Sequence, residues 1–378
     1  MATTILIPNL GNLLFFVENK NLKSLRDEID EIDEQVVLLL NKRLRAAAEI
    51  GMIKSAKGVE PYDPAREEVV FQKICKLSDG SMPDDSLRAI YREVISSSIA
   101  LEKELIIGYL GPQATYTHQA AVRNFGSAVE YKPLLDIPEV FQSVETGECD
   151  YGVVPIENSS EGAVNRSLDL LVESDLTIIA QVYLEVQHCL FANCSMSDLR
   201  EVRSKDHALA QCGEWLRRNL PKVKLTPTSS TAEAVRECKG EKYTGAIAGK
   251  LAGTIHQVSL LAQGIQDRKN NITRFLVVAK QASPKNEDMT YRTSLVLTLS
   301  DQVGALQNAL KPFSSRGINL CKIESRPSGK KTWDYYFFVD FIGHQKQNLV
   351  SEALEEVASS CSYHRILGSY PEIKPNRN

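Results

Sequence analysis

The run LKSLRDEIDEIDEQVVLLLNKRLRAAAEIGMI, residues 22–53, sets how the rest of the chain divides. Its apolar residues fall at Leu22, Leu25, Ile29, Ile32, Val36 and Leu39, a 3,4,3,4,3 stagger that resumes at Ala46, Ile50 and Ile53. Alternating steps of three and four hold side chains on one helix face, so the spacing predicts a single helix of more than thirty residues. Arg43 stands where the stagger asks for an apolar residue, and a guanidinium on an apolar seam requires an anion beside it. Lys54 follows eleven residues later. At about 100° and 1.5 Å per residue it returns to within roughly 20° of Arg43, about 16 Å along the axis, so two cations flank one stretch of groove. Gly58 and Pro61 close this helix, and Asp63-Pro64 opens a second, through about Leu77, with an acidic N-cap and proline at the first helical position. A third begins at Asp84 and Asp85 and carries the seam Leu87, Tyr91, Val94, Ser98, Leu101 and Leu105, helical up to Glu104. Residues 1–19 read as a loose extension, 20–104 as an all-helical domain.

Beyond residue 104 the texture changes to short β-branched runs, Leu105–Leu110, Tyr151–Pro155, Thr177–Val182, Gly245–Ala248 and Phe275–Ala279. They alternate with helical patterns such as Thr115–Phe125, His207–Leu220 and Thr231–Cys238, which is α/β organisation over residues 105–282. A polar linker, Ser283 to Asp288, leads to a third domain at 290–372 whose order βαββαβ predicts a ferredoxin-like fold. Composition narrows the function classes. Forty-four basic against forty-eight acidic residues in 378 give a net charge of −4 with no basic block, which excludes a nucleic-acid partner. Eight cysteines without a Cys-x-x-Cys read as reduced thiols of a cytoplasmic protein, and no His stands at metal-ligand spacing beside them. The apolar run Leu13–Val17 is too short for a membrane span or a signal peptide. No Gly-x-Gly-x-x-Gly follows a strand and Gly245–Lys250 lacks P-loop spacing, so neither a nucleotide cofactor nor a metal is expected.

The helical domain resembles the all-helical chorismate mutase family, with Arg26, Arg43, Lys54, Asp63, Arg66, Glu67, Ser98 and Glu102 at that family's site positions and intervals. The resemblance implies a pericyclic rearrangement of chorismate to prephenate, which needs no nucleophile, only a compact substrate conformer and charge stabilisation at the breaking ether. Arg26, Arg43 and Lys54 would hold the carboxylates, and Lys54 and Glu102 would donate to the ether oxygen, for which Glu102 has to carry a proton. Helix geometry adds an independent point. Arg26 lies 28 residues before Lys54, about 42 Å on one continuous helix, so one small substrate cannot touch both in the same chain. Arg26 therefore serves a partner's site or none; the resemblance implies a homodimer, or a higher homo-oligomer, with exchanged long helices.

Polar clusters follow the α/β strands: Gly111-Pro112-Gln113-Ala114-Thr115, Pro155-Ile156-Glu157-Asn158-Ser159 and Asn271-Ile272-Thr273-Arg274-Phe275. Ligands of open α/β sheets bind at such strand ends, where helix N-termini add backbone donors. Together with Ser204 and Gln211 these loops resemble prephenate dehydratase, although Lys205-Asp206 replaces the family's usual His-Pro. The resemblance implies two α/β lobes, similar to a periplasmic binding protein, with the site in the cleft. Prephenate must lose carbon dioxide and its ring hydroxyl together, so one proton donor at the hydroxyl suffices. Thr273 is expected as donor or relay, Glu157, Asn158 and Gln211 as positioners of the ring hydroxyl, and Ser204 and Arg274 as carboxylate ligands. The proton source stays open, a relay through water or Glu157 included.

The third domain carries Gly304-Ala305-Leu306 at a helix start, Glu324-Ser325-Arg326-Pro327 at a strand end, and Leu367-Gly368-Ser369-Tyr370-Pro371 at its close. These resemble the ACT domain of prephenate dehydratases, with Val303 and Gln307 departing from it, and imply an L-phenylalanine site. In one order from Leu22 to Pro371 the whole resembles the bifunctional chorismate mutase/prephenate dehydratase family. Two other readings stay open: a two-lobed solute-binding or sensor protein, and a mutase whose dehydratase half is inactive.

Overall fold

The computed structural model describes residues 21–268, 270–328 and 334–373, so the extension at 1–19 lies outside the described residues. Two compact units divide between Val59 and Glu60. The first contains α1, the 35-residue helix Leu22–Ala56 that the stagger predicts. Asn21 caps it by accepting from Ser24 N at 2.9 Å. Gly51 is its one buried residue, and Ile29, Ile32, Leu39 and Ile53 are each more than half exposed.

The second unit opens with α2 (Pro64–Leu77), capped by Asp63 as expected, and α3 (Asp84–Glu102). Both helices pack on the α/β region. Tyr62, Phe71, Ile95 and Ile99 share one apolar cluster with Ile107, Phe125, Tyr151 and Phe275. Two half-buried ion pairs, Glu67 with Arg92 and Glu68 with Arg88, join α2 to α3 across the ring of Phe71.

The first lobe runs β1 (Ile106–Leu110), α4 (Tyr116–Phe125), β2 (Glu130–Leu134), α5 (Ile137–Thr146), β3 (Tyr151–Asn158), β4 (Gly162–Ala163), α6 (Asn165–Glu173) and β5 (Thr177–Glu185). The chain then crosses to a second lobe of β6 (Cys189–Ala192), β7 (Glu201–Ser204), α7 (Asp206–Gln211), α8 (Gly213–Asn219), β8 (Lys224–Pro227), α9 (Thr231–Cys238), β9 (Thr244–Ala248), α10 (Lys250–His256) and β10 (Leu260–Gln263). It returns as β11 (Ile272–Ala279), which inserts between β3 and β5. The sheet orders are β2-β1-β3-β11-β5, with β4 on β3, and β10-β6-β9-β7-β8. The first sheet is covered on one face by α4 with α2 and α3, which is why its central strands are apolar on both sides.

The last domain is β12 (Tyr291–Thr298), α11 (Ala305–Ser315), β13 (Leu320–Pro327), β14 (Tyr335–Ile342), α12 (Asn348–Ser360) and β15 (Tyr363–Pro371), the expected βαββαβ. Its sheet, β13-β14-β12-β15, has α11 and α12 on one face through Leu295, Phe313, Val339 and Val357. The other face lies on the first lobe, where Val296, Phe338 and Tyr370 join the cluster of Val154, Leu276 and Ile178. Gly368 makes this approach possible: a Cβ there would stand 2.1 Å from the Ile178 carbonyl oxygen, and φ is +156°.

Charge is buried in the same interface. Arg274 of β11 reaches Asp340 of β14 at 2.7 Å and donates to the Tyr370 hydroxyl at 2.7 Å, with its side chain 3% exposed. Ser294 donates to the other Asp340 oxygen at 2.6 Å. Burial opposes the charge on Asp340, but Arg274, Ser294 and Arg292 outweigh it and hold the carboxyl below its usual range. Such a carboxylate stabilises the fold above the unfolded-state pKa of about 3.9, and that stability is lost as pH falls through the folded value. Asp340→Asn leaves Arg274 buried beside a neutral amide, so urea unfolding at neutral pH should show a loss of about 3 kcal/mol or more. The gap to wild type should narrow once pH drops below about 4; an undiminished gap there counts against the pairing.

Candidate active site

The α/β residues expected at the site separate by strand face. In β3 and β11, Asn158 opposes Thr273 and Glu157 opposes Arg274. Successive side chains on a strand point to opposite sides, so the two pairs serve different neighbours.

Asn158 and Thr273 face the cleft between the lobes. Asn158 Oδ1 accepts from the backbone N–H of Ser160 at 2.8 Å and of Glu161 at 3.1 Å, which turns its Nδ2 toward Asn271 Oδ1 at 2.7 Å and Thr273 Oγ1 at 2.8 Å. Asn271 Nδ2 continues to Gln211 Oε1 at 3.2 Å, and Gln211 Nε2 donates to Glu161 at 3.1 Å. Gln211 ends α7 in the second lobe while Asn271 leads into β11, so the amides bridge the lobes where a crossover segment passes. His188, at the other crossover, sits with Nε2 2.8 Å from Gln211 Oε1 and Nδ1 2.9 Å from the Tyr116 hydroxyl. Thr273 thus accepts a hydrogen bond from Asn158, which stabilises negative charge on Oγ1, and among the described residues no acceptor takes its own proton.

Arg274 and Glu157 are expected beside the substrate, and the structure places them elsewhere. Arg274 is engaged with Asp340 and Tyr370, with Glu157 3.7 Å away, and Glu157 is ion-paired to Lys322 of β13. The reason is strand alternation: as neighbours of Thr273 and Asn158 they point to the regulatory sheet. Ser204, at the end of β7, is fully buried and donates to the Ile247 carbonyl at 2.6 Å, so its hydroxyl proton ties β7 to β9 instead of reaching the amides. Lys205-Asp206 starts α7 without a side-chain cap.

His188 and Tyr116 join the site without having been expected there. Asn271, quoted with the Thr273 motif, shares its face, since residues two apart on an extended chain point the same way. His188 and Tyr116 lie far from the other residues in sequence and carried no signal. Burial keeps both neutral, lowering the His188 pKa and raising that of Tyr116 well above its ordinary value.

The helical residues fall on separate elements. Arg26, Arg43 and Lys54 lie on α1, with Arg43 and Lys54 half-buried. Asp63 caps α2, accepting from Arg66 N at 3.0 Å; Glu67 is buried against Arg92. Ser98, buried on α3, donates to the Val94 carbonyl at 2.8 Å, and Glu102 ends the same helix. In the last domain Gly304 has φ +80° at the start of α11, ahead of Ala305 and of Leu306, which is 37% exposed. Along β13, Glu324 and Arg326 alternate with exposed Ser325 and Pro327, and Arg326 forms a two-pronged ion pair with Asp169 of α6.

A two-lobed α/β body with hydrogen-bonding side chains from both lobes in its cleft, fused to a ferredoxin-like domain and preceded in sequence by helices, defines a multidomain small-molecule protein. Comparison with known proteins agrees. Residues 25–103 match chorismate mutase type II, 107–283 prephenate dehydratase and 293–359 the ACT domain. A bifunctional chorismate mutase/prephenate dehydratase of Aquifex aeolicus is 44% identical over 93% of this chain and 98% of its own. The crystal structure of an Arthrobacter aurescens prephenate dehydratase in complex with L-Phe matches at TM-score 0.65 and 33% identity, over 71% of this chain and 90% of that one. GqqA, described as a novel type of quorum quenching acylase, matches at the same TM-score and 25% identity, over 70% of this chain and 97% of its own, so the fold alone does not choose the chemistry. The full-length relative does: this chain belongs to the bifunctional chorismate mutase/prephenate dehydratase family and is an enzyme with both activities.

Proposed function

We propose that Thr273 is the group that protonates the departing ring hydroxyl of prephenate. The observation that carries this is its hydrogen bond from Asn158 with its own proton left to give. In the step, the ring C–C bond to the carboxylate breaks and its electron pair aromatises the ring as the C–O bond to the hydroxyl breaks. Carbon dioxide, water and phenylpyruvate leave, and the Thr273 oxygen regains its proton from solvent. A threonine is a weak acid, and the Asn158 amide lowers the cost by donating to the oxygen that becomes negative. Gln211 and Asn158 orient the substrate's polar edge. Ser204 and Arg274 act on the carboxylates and Glu157 on the ring hydroxyl only through the elements they brace. Chorismate is rearranged at Arg26, Arg43, Lys54, Asp63, Arg66, Glu67, Ser98 and Glu102, with the charge roles given above.

L-phenylalanine binds at Gly304, Ala305, Leu306, Glu324, Ser325, Arg326 and Pro327 and lowers dehydratase activity. The phenylalanine complex of the Arthrobacter relative supports this reading, as does the helix start that glycine opens at Gly304. Two copies assemble through their long helices. In support, α1 exposes a 35-residue helix with an apolar stripe, and β13 is an edge strand with Ile323 47% exposed. The protein works in the cytoplasm, in keeping with its eight free thiols; no described helix is long and apolar enough to cross a membrane.

Thr273→Ala should reduce phenylpyruvate formation about 10²-fold or more with chorismate consumption retained; activity within about threefold of wild type excludes Thr273 as donor. Mixing inactive Arg26→Ala with inactive Arg43→Ala should restore part of the mutase turnover, because heterodimers rebuild some intact sites. If re-equilibrated mixtures stay dead, the exchanged assembly is wrong. Calorimetry should detect phenylalanine binding, weakened by a prephenate analogue to the same factor that phenylalanine weakens the analogue. No heat at millimolar phenylalanine would remove the regulatory site.

A further inference from the structure

Hydrogen-bond directions in the cleft are fixed by arithmetic of donors and acceptors. The backbone N–H groups of Ser160 and Glu161 claim Asn158 Oδ1, so both protons of its amide go to Asn271 Oδ1 and Thr273 Oγ1. Asn271 must then present Nδ2 to Gln211, and Gln211 must present Oε1 in return. That oxygen only accepts, so the imidazole 2.8 Å away has to offer it an N–H. His188 is fully buried and neutral, with one N–H to give. Its proton therefore sits on Nε2, which leaves Nδ1 as acceptor for the Tyr116 hydroxyl at 2.9 Å. The Tyr116 hydroxyl oxygen also lies 3.0 Å from the Gln187 carbonyl oxygen, a second acceptor for the same proton.

We propose that His188 is a positioning residue for the dehydratase step: its Nε2–H pins the far end of a one-way amide chain, Gln211 to Asn271 to Asn158, that holds the Thr273 hydroxyl with its proton turned outward. The backbone amides of 160 and 161 pin the near end. Without the imidazole, Gln211 is left with its one bond from Nε2 to exposed Glu161 to hold it; if the amide turns its NH₂ inward, Asn271 loses its acceptor, and an Asn271 that flips sets two NH₂ groups against each other beside Thr273. Misplacement of this size lowers the rate of a step that depends on a directed proton while leaving substrate contacts elsewhere intact. His188 touches no reacting atom in this account.

The inference rests on Thr273 as donor, and the experiment separates the two. In full-length protein, His188→Ala should lower kcat for phenylpyruvate from prephenate by about tenfold or more, with KM within about threefold and chorismate mutase turnover unchanged. His188→Gln, whose amide N–H can replace Nε2–H, should recover kcat to within about threefold of wild type. A merely structural histidine would instead give losses that follow thermal stability, with no rescue by glutamine. In the wild-type enzyme, ¹⁵N shifts of the labelled imidazole should report the neutral Nε2–H tautomer at neutral pH. An Nδ1–H tautomer or an imidazolium overturns the proposal whatever the variants do, as does an unimpaired His188→Ala or a glutamine variant as slow as the alanine one. If Thr273→Ala is itself unimpaired, the donor assignment fails. If Thr273→Ala is crippled while the His188 variants are normal, only the positioning role fails.

Discussion

The second unit is organised by what a single strand, β11, does on its two faces. Thr273 and Arg274 are adjacent, so the pleat sends one toward the cleft and the other into the regulatory sheet. Arg274 cannot leave its position without stranding a positive charge in a nearly dry interface against Asp340 and Tyr370. The backbone between the two side chains is therefore held from the side of the last domain, and the Thr273 hydroxyl inherits that placement. Lys322 acts in the same way one strand over, by gripping Glu157 next to Asn158. The cleft-facing pair, Asn158 and Thr273, and the contacts to the last domain are alternate residues of the same two strands.

The cleft itself is closed by residues from both lobes and both crossovers, which explains why the lobes cannot be treated as separate supports. Tyr116 comes from the first lobe, Gln211 from the second, and His188 and Asn271 from the segments between. Neutral amides, one imidazole and two hydroxyls make up the chain, and the one carboxylate bonded to it, Glu161, only accepts from Gln211 at its end. That composition suits a reaction whose driving force, aromatisation, lies in the substrate, so that the protein has to aim one proton and little more.

Much of this was legible in the sequence. The 3,4 stagger marks α1 from Leu22, Asp63-Pro64 marks the start of α2, and the βαββαβ order of the last domain follows from runs whose limits differ from the observed strands by a few residues. The motif around Thr273 points to the cleft. The direction of its neighbour Arg274 was not legible, because a motif names residues without their faces. Alternation says the two must diverge, yet only a partner 66 residues away, Asp340, reveals where the second goes. The bond of Ser204 was not legible for a related reason: a serine at a strand end can donate into the cleft or across the sheet, and here it donates to the Ile247 carbonyl. His188 stands in the stretch Val186 to Phe191, where every neighbour in space comes from a distant part of the chain. Apolar faces on α2 and α3 say that these helices are buried without saying against what, so their packing on the first lobe was not legible.

Gly368 bears on whether the regulatory module is portable. Its backbone lies so near Ile178 that any side chain at that position would have to displace a strand of the dehydratase sheet. A ferredoxin-like domain borrowed from another protein would thus fail to seat on this lobe unless it brought a glycine at the same point of its final strand. Chimaeras that exchange effector specificity are constrained first at this seam, where β15 meets β5, before ligand recognition enters at all.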